Sequence, residues 1–157
     1  MRLKMTALVV GLAALTGCNA FDGTWLFQID PNASFGGTCA EGIDPSAQAE
    51  TLGTTHQIVD IYRAEDGQVV VLFDSDIHMG AVDGSSFAAE YTFDESGDGW
   101  SYNYTSEINA TEEKGILSGT LREAERAVDD DGEETCSVEF DFTAERITSD
   151  EDKYLGD

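Results

Sequence analysis

Short runs in which apolar and polar residues alternate, cut by Asp/Gly-rich breaks, fill this chain from residue 23 to residue 147. Alternation with period two marks a strand with one face on a core. It predicts strands near 23–29, 56–64, 68–74, 76–82, 85–94, 99–109, 115–123 and 134–147. The breaks carry turn chemistry at Glu65-Asp66-Gly67, Asp83-Gly84, Ser96-Gly97-Asp98-Gly99, Lys114-Gly115 and Asp130-Asp131-Gly132. Asp74-Ser75-Asp76 is the weakest break and reads equally as a bulge. Trp25, Phe27 and Ile29 share one face of the first strand, Phe87, Ala89, Tyr91 and Phe93 one face of the fifth. The sixth sets Trp100, Tyr102, Tyr104 and Ile108 against Ser101, Asn103, Thr105 and Glu107. The last sets Cys136, Val138, Phe140, Phe142, Ala144 and Arg146 against Ser137, Glu139, Asp141 and Thr143. Residues 69–73 are apolar on both faces, which predicts an outer cover by a loop or helix.

The long connection 30–55 holds the one predicted helix, with Asp44 as N-cap, Pro45 in its first turn and Gly53 closing it. The segment reads either as a lid over a barrel mouth or as a disulfide-pinned surface loop. Eight strands in simple succession place the first and last antiparallel, so the sheet can close on itself. The expected fold is an all-β, eight-stranded antiparallel up-and-down barrel. The alternative is a two-sheet β-sandwich with Trp25 as an ordinary core residue.

Residues 1–18 follow another pattern. Arg2 and Lys4 precede an apolar run, Met5 to Leu15, too short to span a bilayer. Leu15-Thr16-Gly17-Cys18 then resembles the lipobox of bacterial lipoproteins. That resemblance implies removal of residues 1–17 and acylation of Cys18, with palmitate-like chains each burying CH₂ groups at roughly 0.8 kcal/mol. Asn19 in place of Asp then implies sorting to the outer membrane of a two-membrane envelope. The domains expected are a signal peptide at 1–17, a lipidated N-terminus and short tether at 18–24, a barrel at 25–147 and an acidic tail at 148–157.

Charge narrows the partners. The formal charge of −24 becomes −26 once Arg2 and Lys4 are cleaved away, because every acidic residue follows Cys18. Nucleic acid, which needs clustered Lys and Arg, is excluded as a partner. Solubility in salt, weak cation binding or attraction to a basic envelope protein remain. With Cys18 acylated, Cys39 and Cys136 form an even pair in an oxidising compartment, either as a disulfide or as two buried thiols.

Gly23-Thr24-Trp25 opening the first strand and Arg146 near the end of the last resemble the Gly-x-Trp and packing Arg of lipocalins and wider calycins. The resemblance implies that Gly23 turns the chain into the barrel, Trp25 plugs its floor and Arg146 caps the ring by a cation–π contact. It also places Cys136 beside the exit of the first strand, so that a Cys39–Cys136 bridge would tie the long connection near the open end. The Thr-Asp-Tyr element of many lipocalins is absent, Tyr91-Thr92-Phe93-Asp94 being different, and no room remains for a C-terminal helix after Ile147.

Within such a barrel, Phe87, Tyr91, Trp100, Tyr102, Tyr104, Phe140 and Phe142 either line a cup for a small apolar ligand or fill the core. Asp94, Ser96 and Asp98 before Gly99 match the first half of a calcium loop, without the Glu expected at its twelfth position, where Thr105 stands. The expectation is no cofactor beyond weak calcium. Asp129-Asp130-Asp131-Gly132 fails the same test and reads as a hairpin turn. His56 and His78 stand at strand starts without a nucleophile motif, so they read as surface or structural residues and the chain as non-enzymatic.

Overall fold

The computed structural model describes residues 21–38, 55–63 and 67–148. The strands are β1 (Gly23–Ile29), β2 (Ser34–Gly37), β3 (Thr55–Arg63), β4 (Gln68–Phe73), β5 (Asp76–Asp83), β6 (Ser86–Gly97), β7 (Trp100–Glu113), β8 (Ile116–Asp129) and β9 (Gly132–Thr148). Every neighbour pairing is antiparallel, in the order β1-β3-β4-β5-β6-β7-β8-β9, and β1 pairs back onto β9 to close the ring. β2 lies along β9 as a continuation of β1: Ile29 pairs with Phe142, and Ser34 with Glu139. The chain is thus an all-β, closed eight-stranded antiparallel barrel, consistent with a calycin-like fold, rather than a sandwich.

β2 is the strand the alternation missed, inside the expected long connection. Its separation from β1 has a local cause. Pro31 has no N–H to donate to the ladder, and the Asp30 carboxylate turns the chain by accepting from the Asn32 backbone N–H at 2.9 Å. The ladder holds as far as Asp30, whose N–H donates to the Asp141 carbonyl at 2.8 Å. The helix expected over 44–53 and the acidic tail after Thr148 lie outside the described residues. Val70 and Leu72, on the outer side of β4, are half-buried.

The Asp74-Ser75 break is a genuine two-residue hairpin, with Phe73 paired to Asp76 and Asp74 at φ 55°. Lys114-Gly115 makes another, both residues at positive φ between paired Glu113 and Ile116. Gly80 and Gly119 let the wall bend: a Cβ on either would stand under 2 Å from the Ala88 or Asn109 carbonyl oxygen of the next strand.

Side chains of the inner faces pack into one core of Trp25, Phe27, Val59, Ile61, Val69, Val71, Phe87, Ile108, Leu117 and Phe142, among others. One end of the barrel is sealed. Phe21 packs edge-on to Phe87 at 5.2 Å between ring centroids, and the Trp25 indole N–H donates to the Phe21 carbonyl at 2.7 Å. Trp25 pairs with Arg146 across the closing ladder, and the guanidinium stands 4.8 Å from the indole centroid. The Asp22 carboxylate accepts the Arg63 backbone N–H, fastening the entering chain to the end of β3.

The other end is open and lopsided. β3, β4 and β5 are 9, 6 and 8 residues long, whereas β6 to β9 run 12, 14, 14 and 17. The long strands project past the short ones as a sheet standing over the mouth.

Candidate functional site

Core packing stops at the level of His78 and Ser106, and above them lies a cavity of about 270 Å³. Ile29, Phe73, Leu121 and Phe140 give it an apolar side; Asp30, Asp74, Asp76, Tyr104, Ser106 and Glu123 give it a polar one. Period two explains the mixture. On β7 and β8 the face carrying Ile108 and Leu121 into the core continues outward as Ser106, Tyr104 and Glu123.

Cross-strand register orders the inner face of the projecting sheet into rows. Tyr91, Ser106, Glu123 and Val138 lie side by side across β6–β9, and Phe93, Tyr104, Glu125 and Cys136 form the next row outward. Aromatic rings link the rows: Tyr91 meets Tyr104 at 6.2 Å, and Phe93 meets Tyr102 at 6.4 Å.

At the cavity base His78 is fully buried, its Nε2 2.8 Å from the Ser106 hydroxyl. Its ring meets Phe73 at 6.2 Å and Tyr91 at 5.9 Å. Nδ1 has no hydrogen-bond partner of good geometry. Burial pushes the imidazole below its usual range, with the Asp76 charge and the backbone of Asp76 and Val71 pulling the other way. A Ser–His pair beside an Asp suggests a nucleophile relay, but a relay needs a third group holding the other ring nitrogen. No hydrogen bond joins the Asp76 carboxylate to Nδ1, so the pair lacks that orienting bond.

Higher up, desolvation raises the Glu123 carboxyl above the usual range, opposed by the Tyr104 hydrogen bond and reinforced by Glu125 and Asp76. The Tyr104 phenol is pushed up to about 12 by desolvation and then by the Glu123 charge. A half-buried carboxylate with like charges as neighbours is a costly arrangement.

The ligand-lining candidates separate into three groups. Tyr104 and Phe140 line the cavity, and Tyr91 stands at its edge beside His78. Phe87 belongs to the floor, and Phe142 stacks on Phe27 in the core at 4.4 Å. Tyr102 and Trp100 lie outward on the projecting sheet, Trp100 at 42% exposure. Gly23, Trp25 and Arg146 meet at the closed end, where Gly23 has φ 135°.

Asp94 and Ser96 sit on a straight ladder opposite Asn103 and Ser101, with Asp98 in the turn beyond. Asn103 donates to the Asp94 carboxylate at 2.7 Å. Among the described residues, no group of three or more His, Cys, Asp or Glu is placed to hold a metal ion. Cys136 lies opposite Gly37 at the end of β2; Cys18 and Cys39 lie outside the described residues. His56 is exposed.

Ser106, Asp76 and Glu123 are the site residues that sequence reasoning missed; His78, read there as a surface or structural residue, is fully buried. The available signal was polar residues at inward positions, Ser106 between Tyr104 and Ile108 and Glu123 two beyond Leu121.

Comparison with known proteins adds no relative: no family model, no curated protein and no solved structure matches the chain.

Proposed function

We propose that this chain is a membrane-anchored envelope lipoprotein, acylated at Cys18, whose barrel is a non-enzymatic module holding a small molecule in its mouth. The observation that carries the binding role is the cavity of about 270 Å³, apolar on one side and polar on the other, where the core packing ends. The lipobox-like Leu15-Thr16-Gly17-Cys18 supports the anchor, and Asn19 supports the outer membrane. Phe21, three residues after Cys18, is buried at the closed end. An anchor there points the mouth away from the bilayer. The pairing of Gly37 with Cys136 supports the Cys39–Cys136 bridge, since Cys39 follows two residues later.

Native mass spectrometry of the protein extracted from its own envelope tests the binding role. A co-purified species of a few hundred daltons, lost on widening the cavity with Phe140→Ala, is the expected result; a single unliganded mass in both sinks it. For the anchor, Cys18→Ser leaves an uncleaved, unacylated chain, whereas normal processing of that variant refutes lipidation.

A second reading is a structural or interaction lipoprotein without a ligand, favoured by the solid interior below His78, where Trp25, Val59, Ile61, Val69 and Val71 have no exposed surface. It requires a basic envelope partner captured by cross-linking in the same extract, with no small molecule.

A further inference from the structure

Resting on the reading of the mouth as a binding site, we infer that its ligand is a small organic cation, an ammonium group on an aromatic or branched apolar body. Asp30, Asp74, Asp76 and Glu123 line the cavity, and among the described residues no Lys or Arg lines it.

The chain has eight Lys and Arg in total. Five fall among the described residues, and none of them lines the cavity. Arg63 and Lys114 end β3 and the β7–β8 hairpin at the closed end, where Arg146 lies over Trp25. Arg122 and Arg126 point outward from β8, to Glu107 at 3.0 Å and Glu133 at 2.8 Å. Residues 39–54, between β2 and β3, contain no Lys or Arg.

A further observation points the same way. The inner face of the projecting sheet alternates aromatic rings with carboxylates: Tyr91 and Glu123 share one row, Phe93, Tyr104 and Glu125 the next, Glu95 and Tyr102 the third. Ring faces attract cations through their quadrupole and carboxylates through charge, so this strip favours an ammonium from entry to cavity. The volume of about 270 Å³ lies at the small end of ligand sites. Ile29, Phe73, Leu121 and Phe140 offer the body of the ligand an apolar wall. An apolar molecule without charge would leave the desolvated Glu123 with the Tyr104 hydrogen bond but no counter-charge, a penalty the cation removes.

Isothermal titration of the full-length protein in neutral detergent with phenethylamine, 2-phenylethanol and 3-phenylpropionate tests this. These probes share an aromatic body and carry a positive, a neutral and a negative end. The expected order is amine first by at least tenfold, then alcohol, then acid, with the amine preference shrinking as salt rises. Glu123→Gln should lose most of that preference while leaving alcohol affinity within about twofold; Asp76→Asn repeats the test should the first variant not fold by circular dichroism. Equal binding of amine and alcohol overturns the cation inference and leaves the mouth as an apolar site. Failure of all three probes to bind overturns both.

Discussion

At the closed end of the barrel, Arg146 lies over the Trp25 indole and Asp22 accepts a backbone N–H, so the charges there have partners in the chain. At the mouth the same pleat ends on Glu123 and Asp76, and no Lys or Arg among the described residues lines the cavity. The floor is arranged for stability and the mouth against it. Burial of an under-satisfied polar group is costly wherever it occurs, and the contrast locates that cost in one cavity. Strained or under-paired groups concentrate at functional sites more than elsewhere, which is why the mouth carries the proposed function.

Substitutions at the two ends should therefore differ in sign as well as size. Trp25→Ala empties the floor and should destabilise by about 3–5 kcal/mol in urea unfolding; a loss below about 1 kcal/mol would dissolve the contrast. Cys39→Ser should cost about 2–4 kcal/mol under oxidising conditions and nothing under reducing ones. A melting temperature unchanged in both would retire the bridge. Arg146→Ala, which removes an exposed guanidinium from the face of buried Trp25, should cost about 0.5–1 kcal/mol, read by the same denaturant midpoint.

Glu123→Gln is the sharpest case because it should raise the melting temperature at pH 7. The raised carboxyl of the folded state means that the native protein holds this proton more tightly than the unfolded chain. Its destabilising charge is present above the folded value and fades as pH falls toward the ordinary carboxylate range. The gain from Gln should therefore shrink in acid. His78 acts in the opposite sense: its imidazole is lowered, so its contribution to stability is present above 6.5 and is lost as pH falls below that value. A Glu123→Gln protein that melts lower at pH 7 and gains nothing at any pH would break the comparison between floor and mouth.

Alternation and turn chemistry revealed β1 with its limits, placed the other seven long strands within a few residues, and indicated the closing pair of strands. Both signals are local, and a strand with one buried face must show them. The extent of β8 was underestimated because Glu125 and the residues around it to Asp129 look like solvated sequence. They are held by the ladder with β9 instead of by burial. β2 was missed for a similar reason: Ser34-Phe35-Gly36-Gly37 carries no apolar stripe and becomes a strand only because β9 runs alongside. Among the ligand-lining candidates, Trp100 and Phe142 share an inward face with Tyr104 and Phe140, yet the barrel's length puts one outside the mouth and the other in the core.

By itself, the sequence determined the strand faces, most of the hairpins, an even strand count that can close a ring, and a strongly acidic chain with few cations. Only the tertiary structure decided that Asp76 on β5 and Glu123 on β8 open into one cavity above His78 and Ser106. Side-chain direction within a strand is a two-residue property and is written locally. Which inward residues share a level depends on the register of every intervening ladder and on where the core stops filling, and those are set by the closed barrel as a whole.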